Sequence, residues 1–465
     1  MSELTWKSAL ELRDMVRSKQ VSPVDVVSGS LARLREVEPS INAFLDVTED
    51  QAMEAARAAE DAVMSGAELG PLHGLPVSVK DLIAAKGARM TFGSRAMADN
   101  MSDIDAPSVE RIRADGGAIL GKTTTSEFGC KAVGDSPLTG VTRNPWNLEK
   151  TTGGSSCGAA ASIAAGVSPF GLGTDGGGSV RIPSALTGLF GIKAHFGRVP
   201  VFPVSATPTL AHVGPLARTV RDGALLLQSI SGYDARDAGA VAQEVPDFLA
   251  ACDQPAKGLR IAWSPTLGYG DPDPEVLATV TAAVGVFEEL GCQVTEVDKV
   301  FDDPLDLIMS EFFAGAGTRL RPVLENSREL LDPTVAHMLD GALGQDMGEY
   351  YNKVFQRYNL RNTVYDFFAD YDLLLTPTLP VIAFDAGEDY PPGRGSVDNV
   401  IGWLTYTYPF NLTGLPAASV PCGFVDGLPV GLQIVGSHLG EVDIFRAAAA
   451  FEEARPWADK RPAIN

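Results

Sequence analysis

Polar and apolar positions along this chain follow two rhythms, and the change between them falls near residue 65. Before it the spacing is helical. Ser22-Pro23-Val24-Asp25 reads as a helix cap, a proline in the first turn and an early acid, and residues 49–65 are alanine-rich at helical spacing. After it, short apolar runs at Val77–Lys80, Ala118–Gly121, Phe170–Gly173, Gly191–Lys193 and Arg260–Trp263 predict strands. Helices are predicted between them at 107–115, 157–166 and 219–231, and a further helix at 273–290 separates the strands at 259–263 and 292–297. Strand–helix alternation of this kind predicts parallel pairing in a sheet covered on both faces. Residues 302–370 read as mostly helical and carry Phe312, Phe313, Tyr350, Tyr351, Phe355 and Tyr358. Asp385–Ser396, rich in glycine, proline and acid, reads as an exposed loop. Strands at Ala417–Cys422 and Pro429–Val435 and a helix over 441–455 close the pattern. No repeat and no interdomain linker interrupts it, so one large domain is expected over 1–465.

Composition narrows the function classes. The 465 residues are 45% apolar, enough for a substantial core, and the formal net charge is −22. An acidic surface argues against a nucleic-acid or anionic-membrane partner. The five cysteines (Cys130, Cys157, Cys252, Cys292, Cys422) show neither CxxC nor metal-ligand spacing, which predicts reduced thiols in a cytoplasmic protein with no metal. The opening MSELTWKSAL has charges where a signal peptide needs an apolar core. No apolar run reaches the roughly 20 residues that span a bilayer. A soluble intracellular protein without a cofactor is the expectation.

The candidate chemistry lies in glycine-dense turns. Gly153-Gly154-Ser155-Ser156-Cys157-Gly158 and Gly173-Thr174-Asp175-Gly176-Gly177-Gly178-Ser179 each present serine, and Gly74-Leu75-Pro76-Val77-Ser78-Val79-Lys80-Asp81 puts a lysine at the end of an apolar run. A serine hydroxyl attacks a carbonyl only after a base takes its proton. Lysine is such a base only when neutral, which burial of Lys80 would favour. Consecutive glycines before Ser179 let backbone N–H groups converge on one point, and Ser179 reads as opening a helix, so an oxyanion would be stabilised there. Each element has a plainer reading. Lys80 at a strand end can reach solvent, Gly176–Ser179 can be a flexible turn, and Ser155 and Ser156 can be ordinary helix caps.

Two motif matches fail on context. Gly154-Ser155-Ser156-Cys157-Gly158 fits the GxSxG nucleophile elbow, but Glu149-Lys150-Thr151-Thr152 before it is polar, and His195, His212, His337 and His438 lack a telling setting. Gly171-Leu172-Gly173-Thr174-Asp175-Gly176 fits GxGxxG, but Pro183 and the extra glycines suit a dinucleotide helix badly.

Together these residues make the chain similar to the amidase signature family of serine hydrolases over nearly its whole length. The resemblance runs through the lysine and serine motifs, Gly121-Lys122-Thr123, Asn144-Pro145-Trp146, Gly188-Leu189-Phe190-Gly191-Ile192-Lys193, Pro409-Phe410-Asn411-Leu412-Thr413-Gly414-Leu415-Pro416 and Gly427-Leu428-Pro429-Val430-Gly431-Leu432-Gln433-Ile434. It implies an α/β fold with a large mixed, mostly parallel sheet covered by helices, a catalytic core at about 70–230 and a helical insert at about 302–370. It implies Ser179 as acyl-forming nucleophile, Lys80 as distal base and Ser155 between them after a cis peptide. The N–H groups of Gly176, Gly177, Gly178 and Ser179 would form the oxyanion hole, Gly129 would line the substrate pocket, and Asp175 and Arg181 would support the loop.

The activity implied is hydrolysis of a small carboxamide through an acyl-serine, releasing ammonia or an amine at alkaline pH. A glutaminase subunit of a tRNA-dependent amidotransferase and an esterase or carbamate hydrolase stay open. Cys157 and Gly176 depart from the family pattern, as does Thr209-Leu210-Ala211-His212-Val213-Gly214-Pro215 from that of the amidotransferase subunits. Cys130 and Cys157 are expected to be structural thiols. A homodimer is a further expectation, and the aromatics of 302–370 and of Trp403–Phe410 are candidates for the pocket wall or the core.

Overall fold

Apolar side chains at every second position send alternate residues to opposite faces of a strand, and that period organises the molecule. A computed structural model describes residues 3–464. Among them eleven strands form one sheet. In chain order they are β1 (Phe44–Val47), β2 (Pro76–Lys80), β3 (Ala118–Thr123), β4 (Phe170–Asp175), β5 (Phe190–Lys193), β6 (His212–Ala217), β7 (Arg260–Trp263), β8 (Gln293–Glu296), β9 (Leu373–Pro377), β10 (Ala417–Val425) and β11 (Leu428–Gly436). Across the sheet the order is β1-β3-β2-β4-β6-β5-β10-β11-β9-β7-β8. In β9, Leu373 and Leu375 join one apolar cluster and Leu374 the other; in β7, Ile261 and Trp263 separate from Ala262 in the same way. Both faces are therefore covered. Helices Val220–Ile230, Pro274–Glu289 and Glu441–Ala454 pack on one side, and Arg181–Thr187, Leu305–Asn326 and Pro333–Leu343 on the other.

The sheet is mixed, as the resemblance implies, but parallel pairing is not its majority. Only β2–β3, β2–β4, β7–β8 and β7–β9 are parallel. The other six neighbour pairs are antiparallel. Two features, one local and one long-range, account for much of this. Asp426 and Gly427 both have positive φ and fold β10 directly back onto β11 as a tight hairpin. Strand β6 inserts between β4 and β5, antiparallel to each.

The expected helices and strands are present, with Pro107–Ala114, Cys157–Ala164 and Val220–Ile230 within a few residues of their predicted ends. Ser22 caps the helix Pro23–Ile41 by accepting from the Val24 N–H. Strand β1 is a correction, since it lies inside the stretch expected to be helical, and β6 and β9 carried no predicted element. No helix among the described residues is long and apolar enough to cross a membrane.

A pair of acids ties the N- and C-terminal helices to the helix Val220–Ile230. Asp222 accepts from the Leu10 N–H, and Glu452 accepts from the Val220 N–H, while one oxygen of each carboxyl is buried without a partner. Burial raises Asp222 to about 6 and Glu452 to about 8, the latter helped by the neighbouring Asp222 charge. The folded state thus keeps protons that the unfolded chain has released, and stability falls as pH rises from the ordinary carboxylate range through about 8. Glu452→Gln, which keeps the acceptor and removes the charge, is expected to raise Tm by about 2–4 °C at pH 9 and leave it unchanged at pH 5. Thermal melts at both values check this, and an equal shift at both would contradict it.

Candidate active site

Strands β2 and β4 are parallel neighbours, so their C-terminal ends bring Lys80 and Thr174 to one edge of the sheet. Open α/β sheets place ligands at such an edge. Close approach is built in by glycine: a Cβ on Gly171 would stand 2.2 Å from Ser78 Oγ, and one on Gly173 2.7 Å from Ser156 Oγ. The first two glycines of the apparent dinucleotide motif are thus strand residues that admit their neighbours. The polypeptide after β3 then passes through the Gly153–Ser156 turn and enters the helix Cys157–Ala164, every residue of which is buried.

Lys80 is fully buried, and its Nζ is enclosed by three hydroxyls, Ser155 Oγ at 2.8 Å, Thr174 Oγ1 at 2.8 Å and Ser156 Oγ at 3.0 Å. Among the described residues no carboxylate pairs with it. Burial pulls the ammonium down to about 7, against the opposing pull of Cys157 and Asp175. The Gly154–Ser155 peptide is cis. Ser156 does not cap its helix; its hydroxyl donates to the Thr174 carbonyl at 3.2 Å, and its N–H reaches the Ser179 carbonyl at 3.3 Å. The two serine loops are therefore tied through backbone, although no hydrogen bond joins Ser155 Oγ to Ser179 Oγ.

The loop at Ser179 is shaped by an ion pair beneath it. Asp175 and Arg181 are both fully buried, with Nε–Oδ2 at 3.0 Å and Nη2–Oδ1 at 2.9 Å. Arg181 donates its remaining N–H groups to the Thr407 carbonyl, Gln433 and Asn411, so all five donors of the guanidinium are used. Arg181 holds the Asp175 carboxyl far below the usual carboxylate range despite its burial. The carboxylate also accepts from the N–H groups of Gly178 at 2.8 Å and Val180 at 3.2 Å.

That occupancy corrects one expectation, because Gly178 has no N–H to spare for an oxyanion. Gly176, Gly177 and Ser179 keep theirs free of protein partners among the described residues. Gly178 instead supplies the turn, with φ +136° and Thr407 Oγ1 where a Cβ would stand. A second correction concerns the helix, which begins at Arg181 rather than Ser179.

Ser155, Ser179, Gly129, Gly176 and Thr174 line a cavity of about 490 Å³. The N–H of Gly129 is taken by the Ser126 carbonyl, and a Cβ there would lie 3.3 Å from Ser155 Oγ, so Gly129 offers the site its carbonyl and close packing. The walls are apolar and include Met90, Phe92, Phe128, Phe202, Phe312 and Leu320. Arg319 is the one charged side chain among the described lining residues. Of the aromatics expected from 302–370, only Phe312 arrives, and its ring stands 3.0 Å from where a Gly176 Cβ would be. The ring takes up the room that the departure to glycine leaves. Trp403, Tyr406, Tyr408 and Phe410 are buried in the core instead.

No histidine among the described residues serves the serines. His212 lines the cavity, but its Nδ1 faces the carbonyls of Leu210 and Asp175 and so carries the proton, while Nε2 faces Lys193 Nζ at 3.4 Å. His195 pairs with His438 and His337 with Asp398. Burial raises the thiols of Cys130 and Cys157 above the ordinary range, so both stay protonated. No cluster of metal-ligating side chains is found among the described residues.

Residues 25–445 match the Amidase family. The chain belongs to that family. It is 40% identical over 470 residues to an acylamidase of Rhodococcus erythropolis, covering 99% of this chain and 98% of the relative. It is 37% identical over 481 residues to a subunit of the glutamyl-tRNA(Gln) amidotransferase of Geobacillus thermodenitrificans, covering 98% of each. A bacterial aryl acylamidase of the amidase signature enzymes superposes with a TM-score of 0.91 at 32% identity, covering 97% of both chains. The 6-aminohexanoate cyclic dimer hydrolase does so with 0.91 at 29% identity, covering 99% of both. This amidase-family chain is a hydrolase acting on amide C–N bonds.

Sequence reasoning passed over Thr174, Asn411 and Gln433. A signal existed for the last two: each is a lone amide within an apolar run, where a polar side chain must find partners. Asp175→Asn is expected to cost about 3–5 kcal/mol, since it leaves the Arg181 charge buried with no carboxylate. Urea unfolding measures the loss, and Asp175→Asn combined with Arg181→Met is expected to recover much of it. A single variant as stable as the parent would contradict the role given to the pair.

Proposed function

We propose that this amidase acts as a stand-alone enzyme and cleaves small carboxamides through an acyl-enzyme on Ser179, releasing ammonia or an amine. One observation carries the reading, a buried lysine without a carboxylate partner 2.8 Å from the Oγ of Ser155, a residue that lines an apolar cavity. A neutral amine has two N–H groups and one lone pair. Ser156 already donates its hydroxyl to the Thr174 carbonyl, so it can only accept from Lys80. Thr174 Oγ1 accepts the second N–H, and the lone pair is left facing the Ser155 hydroxyl.

Neutral Lys80 then takes the Ser155 proton as Ser155 takes that of Ser179, and the Ser179 oxygen attacks the carbonyl carbon. The oxyanion meets the free N–H groups of Gly176, Gly177 and Ser179, where one lost donor costs about 3–4 kcal/mol. Ser155 returns the proton to the leaving nitrogen, the C–N bond breaks, and the amine departs neutral. Water attacks the acyl-serine by the reverse route.

The cavity suits aryl or other apolar groups on the acyl or amine side. Glutamine fits it less well. Its α-ammonium seeks a carboxylate, and none lines the cavity among the described residues. That, with the departure at Thr209–Pro215, favours the stand-alone reading over a glutaminase subunit. Product analysis on aryl amides, aliphatic amides, anilides, carbamates, esters and glutamine tests it. Turnover of aryl amides or anilides by the purified chain supports it, and release of ammonia from glutamine alone would contradict it.

Ser179→Ala is expected to lower kcat by on the order of 10⁴-fold or more, and Lys80→Met by a similar factor, because the three residues act as a unit. The log of kcat/KM should rise with pH up to about 7 and flatten above it, as Lys80 loses its proton. A profile flat from pH 5 to 9 would exclude Lys80 as the base.

A further inference from the structure

The charge on the described wall of the amidase cavity is an arginine with no acid paired to it. The helix Leu305–Asn326 faces the cavity with Phe312, Ala316, Arg319, Leu320 and Val323. Those spacings of four, three, one and three keep all five on one side of the helix at 3.6 residues per turn. Four of them are apolar, as a wall that packs against an apolar ligand requires. Arg319 is the exception. It is exposed, so it stands where the cavity opens, and among the described residues it has no hydrogen bond, ion pair or ring contact. The chain has 59 acidic residues to 37 basic ones, yet none of the described acids pairs with it.

The same helix sets the distance of that charge from the chemistry. Phe312 marks the reacting end, since its ring stands 3.0 Å from where a Gly176 Cβ would be, beside the free N–H groups of the serine loop. Within the next turn, the Ala206 carbonyl lies 2.5 Å from where a Gly315 Cβ would stand, so the lining segment 200–207 crosses the helix there. Arg319 is a turn further out. It lies seven residues beyond Phe312, hence about 10 Å along the axis at 1.5 Å per residue. An extended substrate arm spans such a distance with about six to eight bonds.

We infer that Arg319 selects amides that carry a carboxylate at the far end of an apolar arm. The inference rests on the hydrolytic reading of Ser179 given above and adds the class of substrate. A guanidinium offers a carboxylate two parallel N–H donors, a fit that a neutral end group cannot use. Apolar walls keep water from one side of the contact and strengthen it. Over the rest of a surface of net charge −22 an anion is repelled, so a lone cation at the opening draws it there. Glutamine is too short to span this distance, whereas a longer apolar arm ending in a carboxylate fills the cavity and meets the arginine.

The test compares the mono-4-nitroanilide of octanedioic acid, which ends in a carboxylate, with that of 8-methylnonanoic acid, a neutral arm of the same shape. A second pair puts the same two ends on the amine arm of a benzamide. For each compound kcat/KM is measured with the parent, Arg319→Gln, Arg319→Lys and Arg319→Glu. The parent is expected to prefer the carboxylate by about 10-fold or more on one arm, through KM rather than kcat, and less so as salt is raised. That ratio is expected to vanish in Arg319→Gln, to survive in part in Arg319→Lys and to reverse in Arg319→Glu. A purely structural arginine would lower both members of a pair alike and leave the ratio in place. No preference on either arm, or one that survives Arg319→Gln and Arg319→Glu, overturns the inference. Calorimetric binding of the same pairs to Ser179→Ala protein gives the ratio without turnover. A carboxylate preference in binding with no compound cleaved by the parent would support the arginine contact and contradict the hydrolytic reading. Cleavage of the neutral compounds with no preference in either assay would do the reverse.

Discussion

A lysine with no counter-charge, enclosed at the end of a central strand, is the constraint around which the rest of the site is arranged. An ammonium buried without a partner costs several kcal/mol, and the least costly remedy is to give up its proton. Every neighbour of Lys80 is consistent with that remedy. The side chains within hydrogen-bond reach are hydroxyls, which solvate a neutral amine without holding it charged. Gly171 and Gly173 let β4 and the serine turn close over it, and the helix Cys157–Ala164 seals it with small side chains. The fold thereby favours the neutral form of a residue that is ordinarily an acid, as the proposed base requires.

A few residues away the same sheet edge treats charge in the opposite manner. Asp175 and Arg181 are as deeply buried, but each satisfies the other, and every guanidinium donor is used. Their pairing contributes geometry. It spends the N–H groups of Gly178 and Val180 on the carboxylate and leaves those of Gly176, Gly177 and Ser179 turned elsewhere. Paired charge fixes the loop, and unpaired burial lowers the affinity of Lys80 for its proton. Neither device would serve in the other's place.

Much of this was legible in the residues, and the exceptions have physical causes. Lys80 stood out because an apolar run ending in lysine is costly unless the lysine has a task, and the glycine-dense serine turns marked close backbone approach. Most strands with a clear apolar run were foreseen, but β9 was missed despite Leu373-Leu374-Leu375. Strand β1 was missed too, being four residues at the sheet edge, and β6 carries Gly214-Pro215, which reads as a turn. The excess of antiparallel pairs depends on where β6 inserts, a long-range choice with no local trace. Gly178 resembled its neighbours in sequence, and only the Asp175 side chain distinguishes its N–H. The pocket aromatics were misplaced for a related reason. Phe92 and Phe128 reach the cavity from loops where both residues hold positive φ, whereas the aromatic-rich helix faces outward.

The proton relay requires Lys80 to be neutral in the resting enzyme, and its titration measures that directly. Protein carrying ε-¹³C-lysine would be followed by NMR from pH 5 to 11, with Lys80→Met identifying the resonance among those of the other buried lysines. The Lys80 ε-carbon is expected to titrate near pH 7. A Lys80 signal that stays in its charged form to pH 9 or beyond would contradict this, and the relay through Ser155 to Ser179 would lose its base.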